Sequence, residues 1–398
     1  MSLIGLIFLC YAAYLCLKGN HASKYNHLVL HPRTKTPRIA VLIPARDESA
    51  VIEGLLKSLQ RQTIALRPED IYVIVEDKAD PTVQICRKYQ NTVLLRENLR
   101  HQRKGYALDE AIKQILHRDK KYDLYFVFDA DNILDKHYIQ EMLQTYYQGY
   151  EIATGYRESK NGNANVIAAV SSLTFTMVNV MSNRRRAERG SNIIFSGTGL
   201  YVAGDLIEEW KGWPFHSLTE DYEMSLYATL HGISTFYNEA AVFYDEQPTN
   251  YRQTVAQRVR WIKGYFSARK KYIPLIKARK RGNNMGSIIK ERIGVKPVIW
   301  AILGVLAILL GIVVELFWLG KAELIWALLL MVLAGIYVIL ALITVELIKR
   351  ERLDLSPALR LKVVLFNPIY LVSYIPCAVM ALLKRNVAWI KIQHGKKK

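Results

Sequence analysis

Two runs in the last third of this chain, Pro297–Leu319 and Ala322–Ile348, are almost unbroken in apolar residues, and each carries only one or two acidic ones. A helix of about 20 residues crosses a hydrocarbon core about 30 Å thick, so either run is long enough. Inside lipid an unpaired backbone N–H or C=O costs several kcal/mol, so such runs must be helical. The chain is thereby divided into a membrane region, residues 297–398, and a polar portion that folds on its own. A third apolar run, Leu361–Leu383, is interrupted by Asn367-Pro368 and Pro376. Each proline removes a helical N–H, so this broken helix is expected to lie at the interface or turn back rather than span. Residues 1–20 read as an N-terminal anchor: Ser2–Leu17 is apolar and Lys18 follows, without a basic start or a small-residue cleavage site.

The net charge of +19 is concentrated in Arg184–Arg186, Arg269–Arg281, Lys349–Arg352 and Lys384–Lys398. Three of these clusters flank apolar segments, where positive residues mark the cytoplasmic side and attract anionic lipid. Anionic membrane lipid is therefore the expected partner, and nucleic acid is not. The loop Lys349–Lys362 and the basic tail are both expected inside, which again requires Leu361–Leu383 not to cross. Cys10, Cys16, Cys86 and Cys377 have neither metal-ligand spacing nor the pattern of a disulfide framework.

Residues 38–266 read as an α/β domain. Arg38–Pro44, Ile71–Val75, Thr92–Leu95 and Leu124–Phe128 are apolar runs of strand length. Helical patterns at Glu48–Gln60, Ala79–Tyr89 and Tyr106–Leu116 lie between them. This alternation predicts an open parallel sheet with its ligands at the carboxyl ends of the strands. Asp77 and Asp129 fall just past two such ends. Residues 267–295 mix Tyr272, Ile273 and Leu275 with Lys and Arg, the pattern of an amphipathic helix on a membrane surface.

Three motifs carry chemistry. Asp129-Ala130-Asp131 places two carboxylates around a small residue at a strand end, suited to a Mg²⁺ or Mn²⁺ that bridges a diphosphate. Thr219-Glu220-Asp221 precedes a helix expected over Tyr222–Leu230 and offers a carboxylate base for an acceptor hydroxyl. Helical spacing puts Gln257, Arg260 and Trp261 on one face and turns Arg258 and Val259 elsewhere. That face supplies a neutral hydrogen bond, a guanidinium for a pyrophosphate and an indole for a sugar ring.

Together with Asp77, these motifs resemble the signature of family 2 glycosyltransferases. The likeness is strongest to the membrane-embedded branch containing cellulose, chitin, hyaluronan and poly-N-acetylglucosamine synthases. Pro44-Ala45-Arg46-Asp47-Glu48 is similar to that family's opening P-A-x-N-E, with Asp47 in place of Asn. Lys104-Gly105-x-Ala107-Leu108 and Ser196-Gly197-Thr198 are similar to its K-G-x-A-L and acceptor-side S-G-T segments. The resemblance implies a Rossmann-like domain of the GT-A type inserted between an N-terminal transmembrane helix and C-terminal transmembrane or interfacial helices. It implies that Glu48 and Asp77 contact uridine, that Lys104 lies beside the nucleotide, and that Asp129 and Asp131 hold UDP and metal. Asp221 would be the base, Gln257 and Arg260 the pyrophosphate clamp. Trp261, Ser196, Gly197, Thr198 and Glu220 would line the acceptor. The family's usual D-x-S-x-D near Asp77 is replaced here by Asp77-Lys78-Ala79-Asp80. Val387–Gly395 is loosely similar to the branch's mobile gating loop, with Trp389 and His394 near Gly395.

The expected activity is inverting transfer from a UDP-sugar, of the UDP-glucose or UDP-N-acetylglucosamine class, to a growing β-linked polysaccharide at the cytoplasmic membrane face. Roughly three crossings are few for a polysaccharide conduit, so a second copy or a translocation partner is expected with it. The alternatives are single addition to a lipid acceptor, and a non-catalytic sensor of nucleotide-sugar.

Overall fold

The computed structural model describes residues 30–118, 120–282 and 309–384. Most of the expected N-terminal anchor's surroundings, residues 283–308 and the tail with Trp389–Gly395 lie outside the described residues, as does the whole of residues 1–20. Two compact units are present: described residues up to 279 together with 348–384, and those between 280 and 347.

The larger unit is built on an eight-stranded sheet in the order β3-β2-β1-β4-β7-β6-β8-β5. Strands β1 (Ile39–Pro44), β2 (Ile71–Val75), β3 (Thr92–Leu95) and β4 (Leu124–Val127) are parallel, as expected. The strand pleat sends alternate residues to opposite faces. Leu42, Tyr72 and Tyr125 enter the core on one face; Ile43, Val73 and Phe126 enter the core on the other. A sheet buried on both sides needs continuous apolar strands, and β2 is buried at every position.

The second half of the sheet departs from the parallel expectation. β7 (Leu200–Ala203) runs antiparallel between β4 and β6 (Ile152–Ser159). β5 (Ile133–Leu134) is antiparallel to β8 (Thr235–Asp245), which pairs in parallel with β6. Gly197 at φ 84° and Gly199 at φ 60° turn the chain into β7. A Cβ at Gly199 would come within 2.1 Å of the Phe243 ring, so a glycine is required there.

Helix boundaries shift by a few residues. The first helix starts at Ile52 rather than Glu48, because Asp47 at φ 54° and the bonds from the Val51 and Ile52 N–H to the Glu48 carbonyl form a turn first. The next helices are Thr82–Lys88, Lys104–His117 and Glu220–His231. An apolar helix not anticipated from sequence, Val166–Met177, is capped by Asn165 and continues through a π-helical turn, Val178–Arg184, into Arg185–Glu188. The division at 266/267 is not an element boundary: one helix, Tyr251–Gly282, carries both the Gln–Arg–Trp motif and the basic stretch.

Three described helices are long and apolar enough to cross a membrane: Val166–Glu188, half of it buried in its own unit, Leu324–Arg350 and Pro357–Leu383. The last breaks at Ser373, between Pro368 and Pro376, into Pro357–Val372 and Tyr374–Leu383.

A Cβ on Gly105 would lie 1.9 Å from the Phe215 carbonyl oxygen, so backbone meets backbone at the start of the Lys104 helix. Gly105→Ala is expected to destabilise the protein by about 1–3 kcal/mol through overpacking. A lower melting temperature of the detergent-purified protein would register this, and an unchanged one would contradict the packing.

Candidate active site

The site assembles where the parallel strands end. Past β2, Asp77 is exposed and accepts a hydrogen bond from the Ala79 N–H at 2.9 Å. Asp80 is buried, and its carboxylate takes the Asp47 N–H and the Thr82 N–H, both at 2.8 Å. The Glu48 N–H reaches the Thr82 hydroxyl at 3.2 Å. The second aspartate of the altered D-K-A-D sequence thus ties the Glu48 loop to the Asp77 loop.

Past β4, the Asp129 N–H donates to the Thr198 hydroxyl at 2.8 Å and to Asn132 Oδ1 at 3.1 Å. Thr198, which also donates to Asn132, is fully buried. It holds the Asp129 turn in place rather than facing an acceptor, a correction to the expected lining. Lys104, the first residue of its helix, bonds the Asp129 carboxylate and donates to the Gly197 carbonyl at 2.7 Å. Burial, then the neighbouring Asp129 and Asp245, push the Asp131 carboxyl up to about 7.

Glu220 and Asp221 open their helix beside this centre. A Cβ on Gly197 would lie 3.3 Å from Asp221 Oδ2, so Gly197 packs directly on that carboxylate. Desolvation raises Glu220, with the adjacent Asp221 adding to it, and desolvation also raises Asp221; Lys104 and Arg260 act in the opposite direction on both. The helix is anchored by buried Glu223, which accepts from the Ser217 N–H at 3.1 Å, Lys271 at 2.8 Å and the Tyr272 hydroxyl at 3.2 Å.

The long helix brings the third motif to the same place. Arg260 donates to the Leu218 carbonyl at 3.2 Å, and Gly264 lets the helix approach the Thr219 side chain, where a Cβ would come within 2.5 Å. Gln257, Arg260 and Trp261 are half-buried. Arg258 turns away as expected: fully buried, it lies over the rings of Tyr370 at 4.3 Å and Tyr374 at 4.8 Å and bonds the Ser373 hydroxyl at 2.7 Å. Trp261 meets Phe175 edge to face, centroids 5.7 Å apart.

Three residues of this region were not picked out by the sequence reading: Arg157 on β6, Asp245 at the end of β8, and Phe175. Arg157 Nε donates to Asp245 at 2.7 Å, and Arg157 Nη1 donates to the Ser196 carbonyl at 2.8 Å. Asp245 carries a cue like that of Asp77 and Asp129, an acid at the carboxyl end of a strand, here after the short apolar run Ala240–Tyr244.

Against this geometry stand the comparisons with known proteins. Residues 37–264, more than half of the chain, match the model of the glycosyltransferase-like family 2, and the chain belongs to that family. It is 23% identical over 246 residues to the probable glycosyltransferase YdaM of Bacillus subtilis, covering 57% of this chain and 55% of that protein. It is 23% identical over 255 residues to the probable glucomannan 4-beta-mannosyltransferase 14 of Arabidopsis thaliana, covering 60% and 46%. The chain thus spans about half the length of the curated relatives it matches. Among solved structures, the mannosyltransferase PcManGT from Pyrobaculum calidifontis, in complex with GDP-Man and Mn²⁺, is similar in fold. The TM-score is 0.56 at 16% identity, covering 97% of this chain and 99% of that one. The mixed sheet is accordingly a GT-A-like sheet.

Asp129 and Asp131 form an oxygen-only donor pair. Among the described residues no group of three or more His, Cys, Asp or Glu makes a protein-only cage. Mg²⁺ is ordinarily held by one or two carboxylates with phosphate and water, which this pair fits. The half-buried Asp131 carboxylate, which accepts from the Asn132 amide at 3.3 Å, supplies a charge that a cation would compensate. Without metal, a carboxyl whose folded pKa is raised stabilises the fold only while protonated, and that contribution is lost as pH rises through about 7. Asp131→Asn is therefore expected to melt higher than wild type in chelator at pH 8, with the gap closing toward pH 5. A gap that widens toward acid pH would contradict the assigned environment.

Proposed function

We propose that the protein transfers a sugar, with inversion, from a nucleoside-diphosphate donor of the UDP-glucose or UDP-N-acetylglucosamine class to an acceptor hydroxyl. One observation carries this: Lys104 joins Asp129 to the Gly197 carbonyl, and Gly197 packs on Asp221. A candidate metal carboxylate and a candidate base are therefore both tied to Gly197, the first through Lys104 and the second by direct packing. A divalent cation on Asp129 and Asp131 would neutralise the departing diphosphate. Glu48 and Asp77 face the nucleotide, and Lys104, Gln257 and Arg260 present hydrogen-bond donors to phosphate oxygens. Asp221 takes the proton of the acceptor hydroxyl, whose oxygen attacks the anomeric carbon as the bond to the diphosphate breaks. Attack opposite an α-linked leaving group gives a β product. Glu220, Ser196, Gly197 and the Trp261 indole line the acceptor side.

The catalytic domain is placed at the cytoplasmic membrane face, where the basic segments meet anionic lipid, and the product is a β-linked polysaccharide. Single addition to a lipid acceptor is the second reading. It is favoured by the apolar helices beside the motif helix: Val259 packs with Cys377 and Ala381, while Leu365, Ile369, Ile375 and Leu382 on the same helices are exposed.

Purified protein is expected to release nucleotide from one member of a panel of UDP-sugars and GDP-mannose, and to lose this with chelator. Sizing the product separates polymer from a singly modified lipid. Asp221→Asn should keep donor affinity and lower turnover by about 10²-fold or more, the scale for losing a general base. A mutant with weakened donor binding and full saturated turnover would assign Asp221 a binding role. Absence of release from every donor would leave the sensor reading.

A further inference from the structure

Arg157 belongs to none of the sequence motifs, yet through its neighbours it reaches two of them, Asp221 by way of the Ser196–Gly197 loop and Trp261 by way of Phe175. Its guanidinium is held by Asp245, which is buried and in turn accepts from Gln247 at 2.7 Å. One arm reaches the Ser196 carbonyl at 2.8 Å, at the head of the loop whose Gly197 packs on Asp221. The flat face of the guanidinium lies 3.7 Å from the centroid of the Phe175 ring. Phe175 sets its ring at 77° to Trp261 with centroids 5.7 Å apart. The Arg157 carbonyl accepts from the Asn179 side chain at 2.8 Å, so the π-helical turn after Phe175 is fastened to the same residue. Such turns recur at functional sites.

Each contact uses a different property of the side chain. Two donors meet one carboxylate, a third meets a carbonyl, and the delocalised plane stacks on an aromatic ring. A lysine can meet a carboxylate and a carbonyl together, as Lys104 does, but it has no delocalised plane to stack on the ring. Deleting the ring at Phe175 would leave the ion pair intact while removing the support of the indole.

We infer that Arg157 is a positioning residue for the acceptor: through Phe175 it sets the Trp261 indole, and through the Ser196 carbonyl it sets the loop beside Asp221. This rests on the proposed roles of Trp261 and Asp221. The substitutions Arg157→Lys and Phe175→Leu disturb the arrangement at its first and second links and leave the Trp261 side chain itself unsubstituted.

The test labels the full-length protein with 5-fluorotryptophan and reads fluorine NMR, with Trp261 assigned by Trp261→Phe among the seven tryptophans. Both variants are expected to shift or broaden the Trp261 line and leave that of Trp213, buried in a separate core cluster, unchanged. In kinetics, both are expected to raise the acceptor KM by about tenfold, since small misplacements of a bound reactant cost that much or more. UDP affinity by calorimetry should stay within about twofold, unlike that of a phosphate ligand. A stationary Trp261 line in the folded variants overturns the inference, and so does a loss of UDP affinity as large as the loss for acceptor. Should Arg157→Lys fail to fold, Asp245→Asn, which loosens the guanidinium and leaves Phe175 in place, decides by the same readouts. A wild-type protein inactive with every donor would remove the functional reading, while the fluorine spectrum would still settle whether Arg157 positions Trp261.

Discussion

Carboxylates drawn out of water set the terms for the rest of the site. Asp131, Glu220, Asp221 and Asp245 are all pushed toward the neutral form, with burial as the leading cause in each case. A buried charge is tolerated only when paired, and removing one partner leaves the other uncompensated. The fold answers with two cations from separate elements, Lys104 on Asp129 and Arg157 on Asp245. Both also grip the loop from Ser196 to Gly197 through its carbonyls. The turn past β4, the end of β8 and the turn into β7 are therefore tied together by charge, beside the neutral hydrogen bonds of Thr198 and Asn132 to the Asp129 turn. The proposed diphosphate and divalent cation would bring further charges of both signs into this balance.

Glycine and arginine place the motif-bearing helices around that centre. Gly105 and Gly264 allow backbone approaches that a Cβ would block. Arg258, though it lies within the Gln–Arg–Trp motif, serves the opposite side: its guanidinium sits among Tyr251, Tyr370 and Tyr374 and bonds the hydroxyl at the break, Ser373. Lys263 donates to the Ala381 carbonyl at 3.3 Å near the end of the last described helix. The broken apolar helix is thus fastened to the helix that carries Arg260 and Trp261, so the apolar segment and the site belong to one compact unit.

Much of this was legible because strong local patterns determine it. β2 and β3 fall on the residues read from their apolar runs; β2, buried at every position, leaves no other pattern, while β3 is a half-buried edge strand. The 3.6-residue period correctly separated Arg258 from Arg260. What was missed depends on distant pairing. Antiparallel β7 is four residues long and is defined by neighbours that lie far away in sequence. The Val166–Met177 helix is apolar on nearly all sides because its own unit buries half of it, which hides the amphipathic signal. Thr198 looked like an acceptor contact because it follows Gly197, and only the fold reveals that its hydroxyl is spent on the Asp129 turn. Arg157 and Asp245 are 88 positions apart, beyond the reach of any spacing rule.

Binding of Mn²⁺ to the purified protein, followed by electron paramagnetic resonance as free ion is depleted, tests the central claim most directly. The account predicts saturable binding that tightens when UDP is added and disappears in Asp131→Asn. Binding of equal strength in that variant, or none in wild type with UDP present, would contradict it.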